Sequence, residues 1–139
     1  MIADISYSAL KIGDSAEISK TISETDVYNF AGICGDFNPL HVDHEFAAKS
    51  PFKKRIAHGM LSASLISTLL GTALPGKNTI YMEQNLKFRA PVFIGDTITA
   101  KVEVIELIKE KYIAKLKTEA VNQAGEIVID GQATIMKKT

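Results

Sequence analysis

The stretch Ile56–Gly76, IAHGMLSASLISTLLGTALPG, contains no Asp, Glu, Lys or Arg over 21 residues. Its apolar part, Met60 to Leu74, would form a helix about 22 Å long at 1.5 Å per residue. A bilayer's hydrocarbon layer is roughly 30 Å thick, so this helix is too short to span one. A helix that lacks charge on every side and cannot span a membrane is typical of the interior of a soluble protein. We therefore expect the rest of the chain to fold around it.

Before this stretch, the sequence predicts one strand and two shorter helices. The strand is expected at Ser15–Ile22 and is followed by a helix with Ser23 as its N-cap. Asp26, three residues further on, can return a hydrogen bond to the N-cap backbone, which is a variant of the capping box. Gly35 can end this helix in a left-handed conformation. Asp43 is then placed to cap a second short helix.

After Lys77 the hydrophobic period changes from helical to two. Ile80, Met82, Leu86 and Phe88 alternate with polar residues, which predicts a strand with one buried face. Three further alternating segments follow, separated by short turns: Ile98–Val104, Tyr112–Thr118 and Ile127–Ile135. Strands joined in this way predict an antiparallel meander. The expected fold is α+β, with a curved antiparallel sheet wrapped around the uncharged helix as one domain over residues 1–139.

The composition excludes several classes of function. Lys plus Arg and Asp plus Glu both number 16, so the net charge is zero with neutral His. No global field attracts the chain to nucleic acid or to an anionic membrane, and we expect neither as a partner. Cys34 is the only cysteine, which suits a reducing compartment, and we expect a cytoplasmic location. Near-zero charge also favours self-association.

The segment Gly35–Asp43, GDFNPLHVD, places polar groups with catalytic potential on a stiff loop. Pro39 fixes its own φ and favours an extended conformation for the residue before it. Such a loop could bring Asp36 and His41 together around one water. The imidazole titrates near neutrality and the carboxylate can orient it, as proton transfer requires. The alternative is that Asp36 caps a turn and His41 is a structural histidine.

Gly59, at the start of the uncharged helix, is a candidate for polarising a carbonyl group. Backbone N–H groups at a helix start lack intrahelical partners, and the helix dipole is positive there. A glycine also lets a ligand approach the backbone closely, where charge developing on an oxygen would be stabilised. The alternative is that Gly59 only permits a tight turn into the helix.

Three segments together resemble the MaoC-like (R)-specific enoyl-CoA hydratases and dehydratases. They are Asp36–Asp43 (DFNPLHVD), Ile56–Leu61 (IAHGML) and Phe88–Asp96 (FRAPVFIGD). The resemblance implies the hot-dog fold, in which an antiparallel sheet wraps a long helix. It also implies a homodimer that binds an acyl thioester in a tunnel near the subunit interface.

The resemblance implies roles for four residues of these segments. Asp36 and His41 match the catalytic pair that holds and activates water, and Asn38 matches a residue that supports the loop and the water site. Gly59 matches the backbone donor that polarises the thioester carbonyl. No metal motif occurs in the sequence, and no cofactor is expected beyond coenzyme A or an acyl carrier protein as the carrier of the substrate.

Further candidates for substrate binding lie on the helix and on the strand after it. The resemblance suggests Ser62 and Ser67, the latter as a hydroxyl that assists the catalytic pair. Leu70, with Leu65 and Leu69, is a candidate for the tunnel wall or a plain core residue. Arg89 is either a cation at the site's rim or a cross-strand partner. A basic cluster, Lys49, Lys53, Lys54 and Arg55, could meet coenzyme A phosphates or an acidic carrier protein, or could simply be solvated.

The leading hypothesis is an (R)-specific enoyl-CoA hydratase, a hydro-lyase of fatty-acid metabolism. It would add water reversibly to trans-2-enoyl-CoA and give (R)-3-hydroxyacyl-CoA. A 3-hydroxyacyl-[acyl-carrier-protein] dehydratase with the same catalytic pair is the nearest alternative. A hot-dog thioesterase and a non-catalytic acyl-thioester binding module are further alternatives.

Overall fold

Helix α4, Gly59–Thr72, is the uncharged helix that the sequence predicts, and one of its faces packs against the sheet. Met60, Ser64, Ser67 and Thr72 are exposed, so the prediction of a buried helix holds for that one face only. The computed structural model describes residues 1–138. Leu65, Ile66, Leu69 and Leu70 of α4 belong to the hydrophobic core, together with residues from the sheet. Within the described residues no helix is both long enough and apolar enough to cross a membrane.

The other elements follow the predicted order. The strands and remaining helices are β1 (Ser15–Thr21), α1 (Glu24–Cys34), α2 (Pro39–Val42), α3 (His44–Lys49), β2 (Ile80–Phe88), β3 (Thr97–Ile108), β4 (Ile113–Val121) and β5 (Ile127–Met136). Two short 3-10 turns lie at Tyr7–Ala9 and Lys109–Lys111. The five strands form one antiparallel sheet that packs against α4, so the predicted α+β hot-dog architecture is confirmed.

The strand order corrects the predicted meander. The order is β1-β3-β4-β5-β2, so only β3, β4 and β5 follow one another as a meander. Strand β2 pairs with β5 at the far edge, and β3 pairs with β1. The eight-residue connection from β2 to β3, residues 89–96, therefore crosses to the other side of the sheet. Alternating hydrophobicity identifies strands but does not say which of them are neighbours.

The predicted burial of one face of β2 is wrong for the isolated chain. Ile80, Met82 and Phe88 are each at least half exposed, and Leu86 is half-buried. Strand β2 lies at the sheet edge, so one row of its backbone N–H and C=O groups has no neighbouring strand. An irregularity in its pairing with β5 falls between Tyr81 and Glu83. These features leave an apolar edge that the chain does not cover.

The predicted helix caps on both sides of the segment Gly35–Asp43 are present. The Ser23 hydroxyl accepts from Asp26 N–H and the Asp26 carboxylate accepts from Ser23 N–H, which completes the capping box. Gly35 ends α1 with a left-handed φ of 80°. The Asp43 carboxylate accepts from Phe46 N–H and caps α3, as expected. Helix α2 was not predicted from the sequence, because four residues show no periodicity.

Candidate active site

The segment between α1 and α3 is held in shape by its own side chains. The Asp36 Oδ1 atom accepts from Asn38 N–H at 3.1 Å, and Asn38 Oδ1 accepts from Leu40 N–H at 3.0 Å. Asn38 is thereby the N-cap of α2, with Pro39 at the first helical position. The loop-supporting position implied for Asn38 thus has a physical basis in these bonds.

Asp36 and His41 lie together, at a separation that one water beside them can bridge with a hydrogen bond to each. The distance from Asp36 Oδ2 to His41 Nε2 is 3.9 Å, longer than a direct hydrogen bond. The Asp36 side chain is 51% exposed, whereas the His41 side chain is 11% exposed. His41 Nδ1 lies 2.7 Å from the Ile56 carbonyl oxygen, which can only accept. In the neutral ring, the proton is therefore on Nδ1 and the Nε2 lone pair faces Asp36.

His58 joins this pair, although the sequence reasoning gave it no role. Its ring stacks on that of His41 with centroids 3.9 Å apart and planes inclined by 28°. Its Nε2–H donates to the Asp36 carbonyl oxygen at 2.9 Å. The only sequence signal was its place beside Gly59 in the IAHGML segment, which says nothing about contact with a residue 22 positions earlier.

The side chains of Asp36, His41 and His58 approach one another closely enough to raise the question of a metal ion. Their potential ligand atoms lie within 4.8 Å of one another. An imidazole lone pair lies in the plane of its ring, and two stacked rings present their nitrogens side by side rather than toward one point. His41 Nδ1 and His58 Nε2 are also engaged with carbonyl oxygens. The arrangement does not fit a metal site, and the expected absence of a metal stays a prediction.

Gly59 opens onto a cavity of about 480 Å³ at the start of α4. Because Gly59 is the first residue of the helix, its N–H has no intrahelical acceptor. The Phe88 ring lies directly against Gly59, so that a Cβ at this position would be 2.6 Å from the nearest ring carbon. The Phe88 ring therefore takes the space that a side chain at Gly59 would fill.

The predicted site residues do not all meet at this cavity: Asp36, Asn38 and His41 are not among the residues that line it. Ser62 lines it, and the Ser62 hydroxyl is buried without a hydrogen-bond partner among the described residues. Arg89 also lines it while pairing with Asp130 at 3.0 Å, so both of its expected roles are compatible with its position. Ser67 is exposed on α4 and Leu70 is a core residue, and neither lines the cavity.

The basic cluster is partly engaged in structural contacts. The Arg55 guanidinium donates to Glu24 at 2.6 Å and to the Tyr28 hydroxyl at 2.9 Å. The hydrogen bond from Arg55 holds the pKa of Glu24 below its usual range. Lys54 lies 4.3 Å from the centre of the Phe93 ring. Lys49 and Lys53 are exposed and form no ion pair within residues 1–138, so they are the cluster's available cations.

The fold and the site together are those of hot-dog proteins with an acid–imidazole pair beside a helix start. The model of the MaoC like domain family matches residues 10–126. The chain is 52% identical to the (R)-specific enoyl-CoA hydratase of Rhodospirillum rubrum over 130 residues, 94% of this chain and 90% of the relative. It is 47% identical to the Aeromonas caviae enzyme of the same name, with 94% and 98% covered.

A solved structure gives the same result. The unliganded R-hydratase PhaJ1 from Pseudomonas aeruginosa superposes with a TM-score of 0.93 at 45% identity, covering 98% of this chain and 87% of that one. The chain therefore belongs to the MaoC-like domain family.

Proposed function

We propose that this protein is an (R)-specific enoyl-CoA hydratase that adds water reversibly to trans-2-enoyl-CoA and gives (R)-3-hydroxyacyl-CoA. The observation that carries the proposal is the 3.9 Å separation of Asp36 Oδ2 and His41 Nε2, and His58, the residue before α4, contacts both of these residues. A water that bridges the two atoms from the side would contact both a carboxylate and an imidazole lone pair. The relatives' names support the same reaction class, a hydro-lyase.

The reaction follows from the geometry. A water held between Asp36 and His41 attacks C3 of the enoyl thioester, and the C3–O bond forms as the pair accepts a proton. The π electrons shift toward the thioester carbonyl, and the Gly59 N–H stabilises the negative charge on its oxygen. A proton from the pair then forms the C2–H bond, so that one water is added and no electrons are transferred. The proposed reaction thus needs no cofactor beyond the acyl carrier.

Two effects supply the acceleration. General acid–base catalysis of this kind contributes about 10²–10⁴-fold. Removing one oxyanion donor typically costs about 10²–10³-fold.

The proposal is tested by the loss of crotonyl-CoA absorbance in Asp36→Asn and His41→Ala variants. Each should lower kcat by about 10²–10⁴-fold, because each removes one member of the pair. His44→Ala is the matched control, since His44 is exposed and lies just three residues after His41. Wild-type activity in both Asp36→Asn and His41→Ala would contradict the assignment.

The identity of the acyl carrier is a separate question. Exposed Lys49 and Lys53 would attract either the phosphates of coenzyme A or an acidic carrier protein. A comparison of kcat/KM on matched coenzyme A and carrier-protein thioesters distinguishes the hydratase from a 3-hydroxyacyl-[acyl-carrier-protein] dehydratase. Release of free thiol without hydration would instead indicate a thioesterase, and acyl-CoA binding without turnover would indicate a binding module. The cytoplasmic location stays a prediction.

The proposed enzyme is a homodimer that forms through the apolar edge of β2. Ile80, Met82 and Phe88 are exposed on this strand, whose outer backbone groups have no neighbour in the sheet. A second copy that pairs there would cover both the side chains and the backbone. Sedimentation of the wild type should give twice the mass of the chain, and Ile80→Lys combined with Met82→Lys should give the monomer. A monomeric wild type would contradict this part of the proposal.

A further inference from the structure

His58 occupies the N-cap position of α4 but does not cap the helix. N-cap residues are usually Ser, Thr, Asp or Asn, whose oxygens accept from the first helical N–H groups. The His58 side chain makes no such bond, and its ring is only 3% exposed. Its burial is therefore explained by contacts made away from the helix.

Those contacts are with both members of the catalytic pair. The ring faces His41 across a centroid distance of 3.9 Å. The Nε2–H group donates to the main-chain carbonyl of Asp36 at 2.9 Å. The Phe30 ring also contacts the His58 ring, with the two centroids 4.9 Å apart and the planes inclined by 55°. His58 Nδ1 has no hydrogen-bond partner within residues 1–138, so one hydrogen bond and two ring contacts hold the side chain.

The position of this ring bears on the separation between Asp36 and His41. These residues belong to a segment whose internal hydrogen bonds fix its local shape. Outside the segment, the Ile56 N–H donates to the Leu40 carbonyl at 3.2 Å and so ties the segment to the chain before α4. The His41 Nδ1–H bond to Ile56 fixes one end of the imidazole and leaves its tilt free. The His58 ring supports the face of His41 and holds the Asp36 backbone at once. Its main chain also continues directly into Gly59.

We infer that His58 is a positioning residue that sets the separation between the Asp36 carboxylate and the His41 imidazole and aligns both with the Gly59 N–H. The inference rests on the proposed hydratase function. His58 does not contact the reacting atoms itself, so its removal should lower turnover rather than substrate binding. A displacement of about 1 Å in such a site costs on the order of 10²-fold in rate.

Three variants separate the contributions of the ring and the hydrogen bond. His58→Phe keeps an aromatic ring on His41 and loses the donor to Asp36. His58→Gln keeps an N–H donor and loses the ring, and His58→Leu loses both. We expect kcat on crotonyl-CoA to fall about 10-fold for the first two and about 10²-fold for His58→Leu. KM should stay within about twofold in all three, since no substrate contact is removed.

Val104→Ala is the control for a simple loss of stability. Val104 is a buried core residue of β3 and belongs to neither the cavity nor the catalytic pair. It should lower the melting temperature without changing kcat at a temperature where all variants are folded. A His58 series whose kcat stays within about twofold of wild type, or whose losses appear in KM alone, would overturn the inference. The inference would also be overturned if Val104→Ala lowered kcat as much as the His58 variants do.

A measurement on the wild type keeps the test independent of whether the variants fold. Nitrogen-15 NMR of the histidine rings should show His58 protonated at Nε2 with an exchange-protected N–H, as the bond to Asp36 requires. A ring protonated at Nδ1 alone, or a freely exchanging His58 N–H, would overturn the inference. If Asp36→Asn and His41→Ala keep activity, the proposed function fails. If they lose it while His58→Leu does not, only the positioning role fails.

Discussion

The substitution Gly59→Ala tests whether the start of α4 is kept open for a thioester oxygen or only for the Phe88 ring. The added Cβ would lie 2.6 Å and 2.7 Å from two carbons of that ring. Ordinary carbon–carbon contacts are about 3.5–4.0 Å, so the ring must retreat by about 1 Å. Gly59 has no left-handed φ, and the alanine therefore introduces no backbone strain.

The expected change in stability is modest. Overpacking a rigid core costs about 1–3 kcal/mol, and Phe88, although 53% exposed in the isolated chain, would be covered by the second copy in the proposed homodimer. Alanine in a helix is favoured over glycine by up to about 1 kcal/mol, which offsets part of this cost. The free energy of unfolding in urea should therefore fall by no more than about 2 kcal/mol. The rate should respond more.

The expected loss of kcat/KM on crotonyl-CoA is about 10²-fold. A methyl group next to the Gly59 N–H would displace an oxygen bound there, and a displacement of about 1 Å has this effect. The double variant Gly59→Ala with Phe88→Ala separates the two explanations. Removing the ring relieves the clash but leaves the methyl group at the helix start. We expect the double variant to remain about 10²-fold below Phe88→Ala alone.

Recovery of activity in the double variant, to the level of Phe88→Ala, would refute this reasoning. It would mean that Gly59 is needed only because Phe88 packs there, and that no reacting oxygen approaches its N–H. An unfolded Gly59→Ala variant would refute the estimate of the stability change. Urea denaturation is therefore measured on the same preparations.

Three further predictions concern stability. Asp4→Asn removes the carboxylate partner of the fully buried Lys137 ammonium, which then keeps only the Lys77 carbonyl oxygen as an acceptor within residues 1–138; calorimetry should show a lower melting temperature, whereas Lys137→Met should be nearly neutral. Ser23→Ala removes the N-cap of α1 and should cost about 1 kcal/mol in urea, and no change would contradict the capping box. The lowered pKa of Glu24 stabilises the fold fully above its usual value of 4.5 and progressively less as the pH falls through the folded-state value. Glu24→Gln should therefore make the melting temperature fall less steeply as the pH drops below about 4.5. An unchanged pH dependence would rule out a contribution of the Arg55–Glu24 pair to stability.

The helical half of the chain could be predicted from local signals. The ends of α1 depend on Ser23, Asp26 and Gly35, all of which act within one turn of the helix. The burial of α4 depends only on its lack of charged residues. Helix α2 was missed because its start depends on one Asn38 hydrogen bond rather than on a repeating pattern. Helix ends that are set by residues within one turn can be predicted from the sequence, because the capping residues lie next to them in the chain.

The site required more than local information. The closeness of Asp36 and His41 could be anticipated because a proline-stiffened loop of few residues joins them. The part played by His58 could not, because its contact with both depends on how the loop after α1 packs against the start of α4. The placement of Ser67 and Leu70 likewise depends on which side of α4 faces the sheet. The sequence carries a signal for that orientation that was not used: Ser64, Ser67 and Thr72 recur at helical spacing and form the exposed face.

The error on β2 identifies what an alternating pattern measures. The pattern of Ile80, Met82, Leu86 and Phe88 predicts burial but does not specify the surface that provides it. In the isolated chain the strand is an uncovered edge, whereas under the proposed homodimer a second copy would cover it. The apolar pattern of β2 and its exposure in the isolated chain are then consistent, because the apolar residues would be buried in the dimer. Hydrogen exchange distinguishes the cases: β2 amides should be protected in the wild type and exposed in the Ile80→Lys, Met82→Lys variant, while β4 remains protected in both.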